Sequence, residues 1–309
     1  MMFDITGKRF WFFLTSGAVI LIGIISLVTF GLKAGIEFSS GSMMTVNFAD
    51  EVDQGQLRQE LVSLGYTNVI VQRTGEGDFL IRTRELSGEE KTGLEGALIT
   101  RFGSLEETEF HSVSPMVATE TARNAAIAIA VAAIGILLYI TWAFRRMPKP
   151  FRYGTCAIIA LMHDVLVTLG TFSILGGILN WEINLMFIIG ILAVIGYSVN
   201  DTVVVFDRIR ENLTKGVSSN FEVVVNNSLV ETLSRSLNTS LTTLVVVLAL
   251  LLFIGASIQN FAVVLLIGII TGAYSSICIA PQLLLVWERG EWGRLFQWLP
   301  LPKAKAKES

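Results

Sequence analysis

The sequence predicts an α-helical polytopic membrane protein with six transmembrane helices and one small α/β domain inserted between the first and second spans. Three observations predict it. Hydrophobic residues make up 52% of the chain against 16% charged. The apolar excess falls in six discrete runs, each near the ~20 residues a helix needs to cross a bilayer. One long acidic stretch, residues 34–122, separates the first run from the other five.

The runs are residues 11–32, 125–144, 153–175, 185–206, 234–254 and 261–286. The first follows Lys8 and Arg9, as a secretory leader would, but it exceeds the ~7–15 residues of a signal core and no small-residue cleavage site follows. It reads as a retained span. Orientation comes from Lys and Arg in the short loops. Arg145, Arg146, Lys149 and Arg152 lie between the second and third runs, and Arg208, Arg210 and Lys215 follow the fourth. Arg289, Arg294, Lys303, Lys305 and Lys307 follow the sixth, whereas the connections 176–184 and 255–260 hold no Lys or Arg. Both termini are therefore expected in the cytoplasm. The chain divides into a first span (1–33), an extracytoplasmic domain (34–122), a five-helix bundle (123–288) and a cytoplasmic tail (289–309). Within the bundle, Phe221, Val225, Leu229 and Leu233 recur every four residues, which predicts a separate amphipathic helix near 221–233 on the cytoplasmic membrane face.

Residues 34–122 hold six basic and fifteen acidic residues, a formal charge of −9. Such a stretch is poorly suited to nucleic acid or anionic lipid. Residues 42–48 and 108–113 have strand character, and 68–73 and 79–83 read as strands joined by a turn at Gly75-Glu76-Gly77-Asp78. Residues 53–64 have a helical period with Asp53 as N-cap, and Ser87 with Glu90 three residues later forms a capping-box signal for a helix over 87–102. The order βαββαβ predicts a split-βαβ, ferredoxin-like sandwich. His111 stands alone and reads as a strand or surface residue. Cys156 and Cys278 fall within spans, so neither a disulfide framework nor a CxxC metal site is expected. No nucleophile–base pair, phosphate loop or Walker motif is present, so no enzyme activity, catalytic residue, cofactor or metal is expected. Any energy source is then an ion gradient or a partner ATPase.

The polar residues inside the runs carry the chemistry. Asp201 lies ~9 Å along the helix from Asp207-Arg208, the expected boundary pair. An ionised carboxylate there needs a partner or must take a proton. Arg235 opens the fifth run at comparable depth and is the candidate partner. Arg235, Asn238, Thr239 and Thr242 share one helix face, expected to point into the bundle, with Asn200 beside Asp201. His163 and Asp164 sit in the third run. Together Asp201, Arg235, Asp164 and His163 form the kind of set that proton pathways use. Two plainer readings stand beside it: Asp201 and Arg235 as a register-fixing ion pair, and Asp164 as a tie between helices. Gly268 and Gly272 form a small-xxx-small motif, and Gly190, Ala193 and Gly196 give the fourth run a similarly slim surface.

GYSVNDTVVVFDRIREN (196–212), SRSLNTSLTT (234–243), ALMHDV (160–165), GIEFSSG (35–41) and VSP (113–115) together resemble the SecD/SecF family of translocation accessory subunits, part of the resistance-nodulation-division superfamily. The similarity runs from the first span to about residue 288. It implies a multi-pass protein of the cell (inner) membrane that pairs with SecD, associates with the SecYEG channel and YajC, and acts on a translocating preprotein by using the proton-motive force. It also implies that Asp201 is the protonatable carboxylate and Arg235 its charge-compensating partner. One motif departs: the family shows Asp and a Gly pair where this chain has Glu37, Ser40 and Gly41, and Ser40 lacks glycine's tolerance of positive φ. Two other classes fit the composition. One is half of a proton-driven small-molecule or lipid exporter; the other is a passive scaffold subunit.

Overall fold

The computed structural model describes residues 4–73, 77–253 and 258–292. It forms two compact units, Met1–Lys33 with Ala128–Ser309, and Ala34–Ile127. After α1 (Arg9–Thr29), the second unit runs α2 (Ile36–Ser39), β1 (Gly41–Phe48), α3 (Gln54–Ser63), β2 (Ile70–Arg73), β3 (Phe79–Thr83), α4 (Gly88–Phe102) and β4 (Leu105–Val113). The remaining helices are α5 (Pro115–Ala143), α6 (Phe151–Leu179), α7 (Leu185–Thr214), α8 (Phe221–Phe253), α9 (Gln259–Cys278) and α10 (Ala280–Arg289).

In the α/β unit the four strands form one sheet in the order β2-β3-β1-β4, every neighbouring pair antiparallel. This is the strand order of a split-βαβ sandwich. Met44, Val46 and Phe48 alternate inward along β1 and meet Phe79 and Ile81 of β3. Leu57 and Leu61 of α3, and Leu94 and Leu98 of α4, are one helical turn apart and close the core from the helix side. Each such side chain contributes roughly 1.5–3 kcal/mol on burial. The helix starts follow their caps. Asp53 accepts from the amides of Gly55 and Gln56 at 2.9 and 3.0 Å, and Ser87 and Glu90 form the reciprocal capping box. Arg84, 2.6 Å from Glu90, and the Ser87 amide hold the Glu90 carboxyl down to about 2. Of the expected β2–β3 turn, Gly75 and Glu76 lie outside the described residues; Gly77 has φ +96° and Asp78 accepts from Asn47.

The stretch Gly35–Gly41 forms a short helical turn that ends in two positive-φ residues. Ser40 has φ 62° and ψ 168°, and Gly41 has φ 123°. A Cβ at Gly41 would lie 2.5 Å from the Thr83 carbonyl, so glycine is required there. At Ser40 a side chain occupies backbone space that is nearly reserved for glycine, and the turn holds it there. Ser40 N donates to Ile36 O at 2.9 Å, and Arg82 bonds Ala34 O and Ser39 Oγ.

Among the described residues, six helical segments are long and apolar enough to cross a membrane: Thr6–Thr29, Pro115–Ala143, Phe151–Leu179, Leu185–Thr214, Phe221–Phe253 and Gln259–Arg289. Two differ from the sequence expectation. The amphipathic helix near 221–233 and the fifth span are one helix, α8. No Gly or Pro interrupts residues 221–253, and Val225 and Leu229 pack into the bundle instead of lying on a membrane face. The sixth span is broken at Ile279. Pro281 lacks an amide hydrogen and crowds the preceding turn, so α9 ends and α10 begins.

Glycines set the closest helix contacts. A Cβ on Gly268 would lie 2.1 Å from Val194, on Gly190 2.8 Å from Val264, and on Gly272 3.0 Å from Ser198. These three pairs lock α7 against α9. Gly23 and Gly170 do the same for α1 and α6, where a Cβ on Gly170 would come 2.6 Å from Gly23. Ala193 and Gly196 take no such role; both are exposed on α7.

Arg9 is buried instead of being a free flanking charge. It donates to Glu222 at 2.7 Å and to Glu291 at 2.8 Å, while Arg289 pairs with Glu222 at 2.5 Å. The Asn226 side chain accepts from the amide of Ile5 at 2.8 Å. The start of α1 is thereby tied to the first turns of α8.

Two predictions follow from these contacts. Ser40→Gly relieves the strained backbone and raises stability by about 1 kcal/mol, read from denaturant unfolding of the purified protein; an unchanged midpoint contradicts it. Arg9→Met removes the buried cation shared by Glu222 and Glu291, which then keep only the weaker-placed Arg289 of the two arginines, and lowers stability by roughly 2–3 kcal/mol, whereas an exposed flanking charge would shift it negligibly.

Candidate functional site

Asn184 starts α7 by accepting from the Phe187 amide at 3.1 Å, and the helix then runs unbroken through the polar pair Asn200-Asp201. Its 3.6-residue period splits the polar side chains onto two faces. Tyr197 and Asp201 look toward α8, and Ser198 and Thr202 look toward α9.

On the α9 side the buried carboxylate is Asp164 of α6. It is 1% exposed and fully engaged. Ser198 Oγ donates to its Oδ2 at 2.6 Å and Ser275 Oγ at 2.8 Å, and His163 Nδ1 lies 3.0 Å from its Oδ1. Ser276 continues the contact, donating to the Ser198 carbonyl at 3.3 Å and sharing a hydrogen bond with Thr202 at 2.9 Å. The His163 ring lies 6.0 Å from that of Tyr274, whose hydroxyl donates to Phe12 O at 3.0 Å. Asp164 thus joins α6, α7 and α9 through side-chain hydrogen bonds.

On the α8 side the situation is the opposite. Asp201 is 5% exposed, and its Oδ2 is buried with no hydrogen-bond partner among the described residues. Ser236 Oγ, on the facing turn of α8, is also buried without a close hydrogen bond among the described residues, yet it is near enough to act on the Asp201 carboxyl. Arg235 acts on Asp201 by its charge, but among the described residues the two form no ion pair within 4 Å. Both oxygens of a carboxylate seek donors, so this site is under-satisfied as it stands.

The four-residue polar face of α8 lies where the sequence did not place it. Arg235, Asn238, Thr239 and Thr242 are all exposed, not turned into the bundle. The face that this chain buries is the neighbouring one, with Ser228, Leu229, Thr232, Ser236, Ser240 and Val247. Asn200 is likewise exposed, on the α7 strip that carries Ala193 and Gly196. The helical period shows correctly which residues share a face, but not which face this chain buries.

At the end of α7, Asp207 pairs with Arg210, and Arg208 pairs with Glu211 and Glu231 at 2.5 and 2.6 Å. Among the described residues, no group of three His, Cys, Asp or Glu side chains could hold a metal ion. The hydroxyls that build both sites (Ser198, Thr202, Ser236, Ser240, Ser275 and Ser276) went unread in the sequence. The signal was present as i, i+4 pairs, Ser198–Thr202 on α7 and Ser236–Ser240 on α8.

The sequence model of the family described as "Protein export membrane protein SecD/SecF, C-terminal" matches residues 95–290. The chain is 44% identical over 308 residues to the protein translocase subunit SecF of Thermobaculum terrenum, covering 96% of this chain and 97% of that one. It is 37% identical over 298 residues to the protein translocase subunit SecDF of Bacillus subtilis, covering 93% of this chain and 38% of the longer relative. In structure it resembles the crystal structure of SecDF, a translocon-associated membrane protein from Thermus thermophilus, with a TM-score of 0.82 and 30% identity over 94% of this chain and 39% of that one. Six membrane-length helices and a family match over well more than half of the chain give one conclusion: the chain belongs to the SecD/SecF family of protein-export membrane proteins.

Proposed function

We propose that this chain is an auxiliary subunit of Sec-dependent protein export, in which Asp201 carries protons and so couples the proton-motive force to preprotein movement. The observation that carries the reading is the contrast between two buried carboxylates. Asp164 is saturated by Ser198, Ser275 and His163, a structural tie. Asp201 is buried against α8, lacks a close donor at Oδ2, and feels the charge of Arg235, which lies on a face of α8 left open by this chain. A carboxylate with few fixed partners can change charge with least rearrangement of its surroundings.

The open face also points to the partner. Arg235, Asn238, Thr239, Thr242 and Asn200 would meet hydrocarbon if the subunit stood alone, at a cost of about 2.5–3.5 kcal/mol for an Arg at mid-bilayer. A second membrane subunit covers them instead. SecD fits, because the relatives named SecDF join a chain like this one to a further segment in one polypeptide. In this reading both termini are cytoplasmic, the α/β unit is extracytoplasmic, and SecYEG, YajC and the preprotein are met in the assembled complex. One proton crossing 100 mV supplies ~2.3 kcal/mol, enough to bias a two-state element. An exporter's substrate site gains no support from the α/β unit: its open recess of about 490 Å³ is lined by Glu51, Val52, Asp53, Gln54, Gln56 and Arg73, a mainly polar set.

Asp201→Asn, assembled with its partner subunit and the channel in liposomes, is expected to insert normally and to lose the stimulation of export by an imposed proton gradient. Stimulation equal to that of the unaltered protein overturns the proton role.

A further inference from the structure

The hydroxyls of α8 show an exception that bears on how a proton would reach Asp201. A Ser or Thr within a helix normally bonds its hydroxyl back to the carbonyl four residues earlier. Ser228, Thr232, Thr239, Thr242 and Thr243 all do so, at 2.8–3.0 Å. Ser236 and Ser240 do not. Ser236 is 1% exposed and its hydroxyl makes no close hydrogen bond among the described residues, though it acts on the Asp201 carboxyl, while Ser240, 3% exposed, accepts a hydrogen bond from Tyr197 at 3.3 Å. These two are the hydroxyls of α8 that face α7 on the side of Asp201. Tyr197 is one helical turn from Asp201, on the side away from the charged end of α7 at Asp207–Lys215.

We propose that Tyr197, Ser240 and Ser236 form the proton-delivery ladder to Asp201, an inference that rests on Asp201 being the carrier. Tyr197 already donates toward Ser240. Ser240 and Ser236 lie one turn apart, ~6 Å along the helix, a gap that one water spans. Asp201 Oδ2 takes the proton of Ser236, Ser236 takes one from the water, the water takes one from Ser240, and Ser240 takes one from Tyr197. Tyr197 recovers its proton from a hydronium ion of the solvent, which is left as neutral water. Each hop breaks one O–H bond and forms one, so every hydroxyl ends neutral and a single proton is added to the carboxylate. Among the charged groups of the packed helices, Arg235 of α8 is the one that acts on Asp201. The α9 side presents the hydroxyls of Ser275 and Ser276 to this stretch of α7, and the carboxylate of α6, Asp164, is occupied by Ser198 and Ser275. Among the described residues, the Ser236 hydroxyl and the Asp201 Oδ2 are thus an adjacent donor–acceptor couple with no closer partner.

The test measures proton entry into liposomes that hold the full chain assembled with its partner subunit, using a trapped pH-sensitive dye and an imposed pH gradient. Ser236→Ala is expected to slow entry about tenfold, Ser236→Thr to restore it because the hydroxyl returns, and Tyr197→Phe to slow it severalfold. Ser236→Ala is also expected to change the solvent deuterium isotope effect on the residual flux, which a packing defect would leave alone. If Ser236→Ala and Tyr197→Phe conduct at the unaltered rate while Asp201→Asn conducts nothing, the ladder is wrong and the role of Asp201 stands. If Asp201→Asn itself conducts at the unaltered rate, both fall.

Discussion

Gly268 and Gly272 let α9 sit directly against α7, with Val194 and Ser198 pressed into the space that side chains would fill. Lipid supplies no hydrophobic drive between helices, so such contact rests on packing and on hydrogen bonds made at short range. The close approach is what brings the short hydroxyls of Ser275 and Ser276 within reach of Asp164, Ser198 and Thr202. Longer residues at these glycines would part the helices and leave Asp164 with unmet lone pairs in a region without water. The rest of the helical unit follows from this clasp, because α7 is then fixed in rotation and its other face, with Tyr197 and Asp201, must point to α8.

One helix therefore carries two kinds of acid chemistry three residues apart. Ser198 belongs to a closed network in which every partner is satisfied, and such networks rigidify a core. Asp201 belongs to a face where α8 approaches with a serine that makes no close hydrogen bond among the described residues and an arginine that stays outside ion-pair distance. The difference is geometric, since both faces draw on the same small set of residue types. The α9 side gives the bundle its register, and the α8 side leaves Asp201 with few fixed partners.

Much of this was legible in the sequence. The six spans, the βαββαβ order and both helix caps follow from periodicity, composition and fixed offsets, which are local properties. Ser40 was legible as a departure from the family motif, and its backbone does sit at positive φ. The rotation of α8 was not legible. The spacing of Arg235, Asn238, Thr239 and Thr242 shows a shared face, yet the inference that polar means inward assumes that one chain makes the whole bundle. The serine partners were hidden for a different reason. A serine in a helix can bond its own backbone, pack as a small residue or reach a neighbour, and the choice depends on what the next helix presents. The continuity of α8 was obscured by its change in composition near Ser234, where an amphipathic pattern gives way to an apolar one without any helix breaker.

The central claim is that Asp201 changes protonation while Asp164 holds its hydrogen-bonded state. Infrared difference spectroscopy on the membrane-embedded complex, stepped through its working pH range, tests it most directly. The account predicts a carboxyl band that appears and disappears with pH and is absent from Asp201→Asn, with the signals of Asp164→Asn-sensitive groups unmoved. A band that persists in Asp201→Asn and vanishes in Asp164→Asn would contradict it.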